Sequence, residues 1–271
     1  MGLRINNNIE AINAHRNLQS TSTGLAKAME RLSSGMRVNR AADDAAGLAI
    51  SEKLRSQIGG LNQAIKNAQN GISLIQTAEG ALNETTSILQ RMRDLAVQAA
   101  DGVYSTDDRA ALHKEFQALV QEVDRIAKDT KFNDTELLLN NANLTLQIGA
   151  NANQVIAVNV TAADAGALSI NTLAIDTQGG ATAALAAIDT ALTTVSDIRA
   201  GFGATQNRLE HTINNLSVAA ENLAASESRI RDADMALEMV NFTKLQILQQ
   251  SGTAMLAQAN TAPQAVLSLL R

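Results

Sequence analysis

The chain has 271 residues, of which 45% are hydrophobic but only 2% aromatic, with one proline, no cysteine and a formal net charge of −5. The absence of cysteine excludes disulfides and thiolate metal sites, and the mildly negative charge argues against a nucleic-acid partner held through its phosphates. The core must be built from Ala, Leu, Ile, Val and Met, and nearly the whole chain is free to be helical.

The first residues, Met1 to Asn8, contain no continuous apolar run and do not read as a secretory signal peptide. No stretch is apolar enough to span a bilayer, so export would need a dedicated channel. Ile5, Ile9 and Ile12, followed by Leu18, Leu25, Met29, Leu32 and Met36, form an amphipathic stripe that stops at Ser33-Ser34-Gly35. Asp43-Asp44 reads as acidic capping of the next helix rather than as a carboxylate pair, because neighbouring residues on a helix point in different directions.

From Leu54 the apolar or small positions step by four and three through Ile58, Leu61, Ile65, Ala68, Ile72 and Ile75 to Leu82 and Leu89. This 3.5-residue repeat winds helices around one another. It persists through Gly59-Gly60, Gly71 and Gly80, each of which weakens a helix by roughly 1 kcal/mol, so neighbouring helices must supply the stability. A continuous helix from Asp44 to Ala99 would be a rod of roughly 80 Å. A break at Ala100-Asp101-Gly102 precedes Ser105, an N-cap with Asp108 at the capping-box position. The following helix carries Leu112, Phe116, Leu119, Val123 and Ile126 and is expected to pack antiparallel on the rod.

The period then changes to two. Leu144, Leu146 and Ile148 alternate, as do Ile156, Val158 and Val160, around a small polar loop, which predicts a β-hairpin over about 144–160. An Ala- and Thr-rich linker or weak helix start with Gly179-Gly180 follows. The heptad returns from Leu185 to Ile230 as a second rod, with a weak point at Gly201-Phe202-Gly203. Beyond Lys244 no charged residue occurs until Arg271, and apolar residues including Leu248, Leu256, Val266, Leu267, Leu269 and Leu270 alternate with neutral polar ones. Neither end can form a globular core alone, so the apolar faces of both need partners.

His15, His113 and His211 are scattered without metal-ligand spacing, and no phosphate loop or nucleophile elbow occurs. No enzyme, metal or cofactor is expected. The fold class is mainly α, with long coiled-coil helical rods, a small β-hairpin and a discontinuous core formed by both termini. Two functional classes fit: a self-assembling fibre subunit and a coiled-coil signalling or scaffold module. The mid-chain hairpin and the uncharged tail favour the fibre, since a free scaffold end is normally charged for solubility.

Several motifs narrow this further. Arg31 to Gly35, Asn39 to Ile50, Asn67 to Ser73 and Glu79 to Leu82 closely resemble the N-terminal signature of bacterial flagellins. Ser228 to Asp234, Gln246 to Gly252, Gln258 to Asn260 and Val266 to Arg271 resemble the C-terminal one. The resemblance implies a filament subunit for swimming motility, with a related hook–filament junction protein as the alternative. It implies an inner core of paired terminal helices, residues 1–42 with 231–271, lining a channel, and a shell domain over 43–230. This chain lacks the large outer domains of longer members. Also implied is secretion into the extracellular filament through the flagellum's own channel, without a cleaved signal peptide. The implied partners are further copies of the chain, an export chaperone, the filament cap and the hook–filament junction proteins, with no nucleic acid and no membrane. Residues 90–98 resemble the segment that a host Toll-like innate-immune receptor reads in many flagellins. Arg91 and Leu95, four apart and expected to share an exposed face, would be contacts, with Glu115 as a third.

Overall fold

A computed structural model of the chain describes residues 8–269, with side chains described as far as Thr261. Its elements are α1 (Ile9–Ser34), α2 (Ala45–Ala100), α3 (Thr106–Asp129), β1 (Lys131–Phe132), β2 (Thr135–Glu136), β3 (Ala142–Gln147), β4 (Val155–Val160), α4 (Gln178–Arg231) and α5 (Met235–Leu269). They form two compact units. Unit 1 comprises the residues up to Ser56 together with those from Asn222 onward, and unit 2 comprises Gln57–Glu221. The division falls inside α2 and α4, so each of those helices contributes to both. Unit 1 thus reaches further along α2 and α4 than the terminal segments 1–42 and 231–271.

In unit 2, α2 packs antiparallel to both α3 and α4. Ion pairs tie them: Arg91 to Glu115 at 2.7 Å, Arg93 to Asp189 at 2.8 Å and Arg199 to Glu79 at 3.7 Å. Beneath these lies one continuous apolar core, with Ile75, Leu82, Leu89, Met92, Phe116, Ile188 and Phe202 all buried. Gly201-Phe202-Gly203 is no break, since α4 runs through it and Phe202 is an anchor of the core. Helix α3 begins as the sequence predicts: the Ser105 hydroxyl accepts from the Asp108 N–H, and the Asp108 carboxylate accepts from the Ser105 N–H. That carboxylate is held below the usual range, chiefly by the Ser105 hydroxyl.

The predicted hairpin is β3–β4, antiparallel, pairing Leu144 with Val158 and Leu146 with Ile156. Ile156, Val158 and Val160 face the core while Val155, Ala157 and Asn159 face out. The Asn67 amide donates to the Gln147 carbonyl at 3.0 Å, and an added Cβ at Gly71 would collide with Leu146 Cδ1. Gly71 therefore lets the sheet approach the rod; at Gly80 nothing lies within 4 Å. Two features depart from the sequence reading. A second, tight hairpin, β1–β2, turns at Asn133 and Asp134, both with positive φ, as expected of a two-residue loop. The supposed linker contains Ile170 and Ile175, both buried, and α4 starts at Gln178, where Thr177 Oγ1 accepts from the Gly180 N–H.

In unit 1, α1 and α5 lie antiparallel. The Asn8 side chain caps α1 by accepting from the Ala11 N–H and donates to the Ala259 carbonyl at 2.7 Å. At the other end Gly35, at φ 71, closes α1, its N–H reaching the Arg31 carbonyl, a conformation only glycine adopts cheaply.

Candidate functional site

The contact surface between α1 and α5 follows a heptad on both helices. On α1 the covered positions recur at Ala11, Ala14, Leu18, Thr21, Leu25, Ala28 and Leu32, with Gly24 beside them. On α5 they recur at Glu238, Phe242, Leu245, Gln249, Gly252, Leu256 and Ala259. Leu245 packs on Gly24, and Leu18 on Gly252. Small residues opposite leucines bring the two backbones close, and the four–three steps keep the seam in register. One charge pair sits on this seam: Arg31 lies 3.7 Å from Glu238, whose side chain is largely covered.

Away from the seam the surface is different, both on its flanks and on the far side of each helix. Ile9, Ile12 and Met29 on α1 and Leu237, Met239, Val240, Ile247, Leu248 and Met255 on α5 are about half exposed or more, Val240 reaching 67%. The predicted N-terminal stripe therefore divides. Leu18, Leu25 and Leu32 enter the seam, while Ile9 and Ile12, roughly half a turn away, face outward. The same holds for α5, where Leu256 joins the seam and Leu248 is 46% exposed. Ile5, Val266, Leu267, Leu269 and Leu270 lie outside the residues whose side chains are described.

A clasp closes the end of unit 1 near the two helix junctions. The Arg37 and Val38 N–H groups donate to the Arg231 carbonyl, and Ala233 N–H donates to the Gly35 carbonyl. The Arg37 guanidinium caps Ile230, and Arg231 reaches Glu52 at 2.9 Å. Val38 is buried beneath them. In the loop between α1 and α2 the two adjacent acids divide the work. Asp44 caps α2 by accepting from Gly47 N–H at 2.8 Å. Asp43 accepts from Asn39 and Arg40 N–H and pairs with Lys27 at 2.6 Å. Lys27 above all, with those backbone donors, holds the Asp43 carboxyl down at about 2.

Elsewhere, one expectation needs correction. Arg91 and Glu115 are exposed and joined by a two-pronged ion pair, Nε and Nη2 on one carboxylate oxygen. Leu95 is not on that face: it is 1% exposed. Because α2 is flanked by both α3 and α4, its covered stripe is wider than a single heptad seam and takes in Met92 and Leu95 beside Leu89 and Ala96. His113 Nδ1 accepts from Ile175 N–H at 3.4 Å, an ordinary packing role. Among the described residues no group of three or more His, Asp or Glu is placed to hold a metal ion, and no helix is long and apolar enough to cross a membrane. The outward apolar face of α1 and α5 is the feature that asks for a function.

Known proteins share this arrangement of sequence. The family model for the bacterial flagellin N-terminal helical region matches residues 5–143, and that for the C-terminal helical region matches residues 185–270. A flagellin of Halalkalibacterium halodurans is 56% identical over 270 residues, covering 98% of this chain and 99% of that relative. The flagellar filament 33 kDa core protein of Treponema phagedenis is 51% identical over 284 aligned residues, covering 98% and 99%. Of solved structures, Bacillus cereus flagellin is similar with a TM-score of 0.50 at 34% identity, covering 60% of this chain and 94% of that one.

Proposed function

This chain belongs to the bacterial flagellin family and is a structural subunit of the flagellar filament, not an enzyme; from that premise we propose that the outward face of α1 and α5 is the surface through which copies of the chain join. The observation that carries this is the distribution of exposed apolar side chains. Among the described residues, eleven of the large exposed ones belong to unit 1, including Ile50, Met235, Leu237 and Val240, against four in unit 2. Burying them between subunits gains roughly 25 cal/mol per Å² of apolar area. In this reading residues 1–42 and 231–271 make the inner core around the channel, and 43–230 make the shell. Leu18, Leu25, Leu32 and Leu256 hold the seam within a subunit. Ile9, Ile12 and Leu248 meet neighbours.

Ending the chain at Gln246 tests this. The expected product is a soluble, largely helical monomer; normal filaments under electron microscopy would overturn the assignment. The finer partners are proposed on the family resemblance: an export chaperone, the filament cap and the junction proteins, with passage through the flagellar channel without a cleaved signal peptide.

For host Toll-like receptor recognition, the buried Leu95 leaves the Arg91–Glu115 pair as the accessible part of the segment. Arginine is enriched at binding hot spots. A receptor-reporter assay with monomer should lose most of its response on Arg91→Ala, and an unchanged response would exclude this site.

A further inference from the structure

The chain has seven methionines, and their placement is uneven. Met92, in unit 2, is fully buried. Met29, Met235, Met239 and Met255, all on α1 and α5, are 52%, 47%, 50% and 64% exposed. Met235 and Met239 are one helical turn apart on α5 and share a face, beside the seam with α1 rather than with Leu237 and Val240. Four accessible thioethers thus lie on the surface assigned above to subunit contact. A thioether is apolar and adaptable, which suits a contact that must repack. It is also the one apolar group here that a mild oxidant can make polar.

We propose that these four methionines are an oxidation-controlled assembly site: conversion to sulfoxide in the free subunit blocks polymerisation, and polymerisation shields them from conversion. This rests on the reading of the α1 and α5 face as the subunit contact. The reagent class is a two-electron peroxide oxidant. A sulfur lone pair attacks the distal peroxide oxygen, an S–O bond forms, the O–O bond breaks, and the second oxygen leaves as water after taking up a proton. Sulfur loses two electrons and the peroxide gains them. The product carries a strong, fixed S–O dipole where the thioether carried none. Buried between subunits it would have to find a hydrogen-bond donor or bear the desolvation of that dipole, a cost the thioether does not carry. The change is reversible by methionine sulfoxide reductases, so the subunit could be returned to use.

The full-length monomer should be treated with hydrogen peroxide, quenched, and followed by mass spectrometry and by light scattering during polymerisation. Sulfoxide should form at Met29, Met235, Met239 and Met255 about tenfold faster than at Met92, and the oxidised monomer should elongate about tenfold more slowly. The variant carrying Met29→Leu, Met235→Leu, Met239→Leu and Met255→Leu should keep its elongation rate after peroxide. In filaments assembled before treatment, Met239 and Met255 should oxidise about tenfold more slowly than in monomer, a readout that needs no variant. Oxidised wild-type monomer that elongates at the untreated rate, a leucine variant that is slowed as much as wild type, or filament methionines as reactive as those of monomer would each overturn the proposal. Failure of the untreated chain to polymerise, or filaments formed by the chain ended at Gln246, would instead strike the reading of the face itself.

Discussion

The two units use the same helical repeat to opposite ends. In unit 2 the heptads of α2 and α4 meet each other, α3 and the β3–β4 hairpin, and nearly every large apolar side chain is covered. In unit 1 the heptads of α1 and α5 meet only along one seam; among the described residues its buried hydrophobic side chains are Ala28 on that seam and Val38 under the clasp. A two-helix pair has one inner face, and a helix that is apolar on more than one face must find its second partner elsewhere. The difference shows that heptad periodicity alone does not tell a finished core from an unfinished one; the number of apolar faces per helix does.

The comparison breaks most sharply through paired truncations to alanine. Phe202→Ala removes a fully buried ring from unit 2 and should cost ~3–5 kcal/mol in denaturant unfolding of the monomer. Val240→Ala, on the exposed face of α5, should leave that stability within ~0.5 kcal/mol. It should instead raise the critical concentration for polymerisation about tenfold, from ~0.8 kcal/mol per methylene-sized group lost at the contact. A monomer destabilised by Val240→Ala would mean that unit 1 is already closed.

Within unit 2, two glycines on one helix sharpen the argument about packing. Gly71→Ala pushes a methyl into Leu146 and should destabilise by ~1–3 kcal/mol. Gly80→Ala enters open space and should stabilise by ~0.5–1 kcal/mol through helix propensity. Thermal melts of the two variants should move in opposite directions, and a common direction would mean that the sheet does not press on α2 at Gly71.

The smallest effect concerns pH. The Asp43 carboxyl is held at about 2 against an ordinary value of 3.8. Its contribution to ordering the loop between α1 and α2 is therefore present above about pH 4 and is lost as pH falls toward about 2. Hydrogen exchange at the Asn39 and Arg40 amides, corrected for the intrinsic pH dependence, should show protection falling through that window in the parent. In Asp43→Asn it should be low and flat. Equal pH profiles would remove Asp43 from the loop's support.

Much of this was readable in the sequence. The rod expected from Asp44 to Ala99 is α2, Ala45–Ala100, because one long apolar stripe with no proline admits few alternatives. The Ser105–Asp108 capping box and the β3–β4 hairpin were equally legible, each resting on contacts within one short stretch of chain. What escaped were consequences of tertiary neighbours. Leu95 reads as a surface residue from its spacing to Arg91 but is covered because two helices flank α2. The single stripe from Ile9 to Met36 is two half-faces, since the choice of seam depends on where Gly252 and Leu245 of a distant helix come to rest. The short β1–β2 turn was there to be found in Asn133-Asp134, a pair that tolerates positive φ. Arg91–Glu115 came together as the candidate site required; Leu95 did not join them.

The hydrogen bond from Asn8 to the Ala259 carbonyl joins residues 251 apart in sequence. Unit 2 is one uninterrupted stretch and can close while later residues are still being made, but the α1 seam has no second wall until α5 exists. If the outward face of that pair joins subunits as proposed, a chain released short of α5 would have a sound middle and no complete joining surface. Competence to assemble would then depend on the last helix having been made, because only then can the seam offset the entropy of closing the long loop between the two helices.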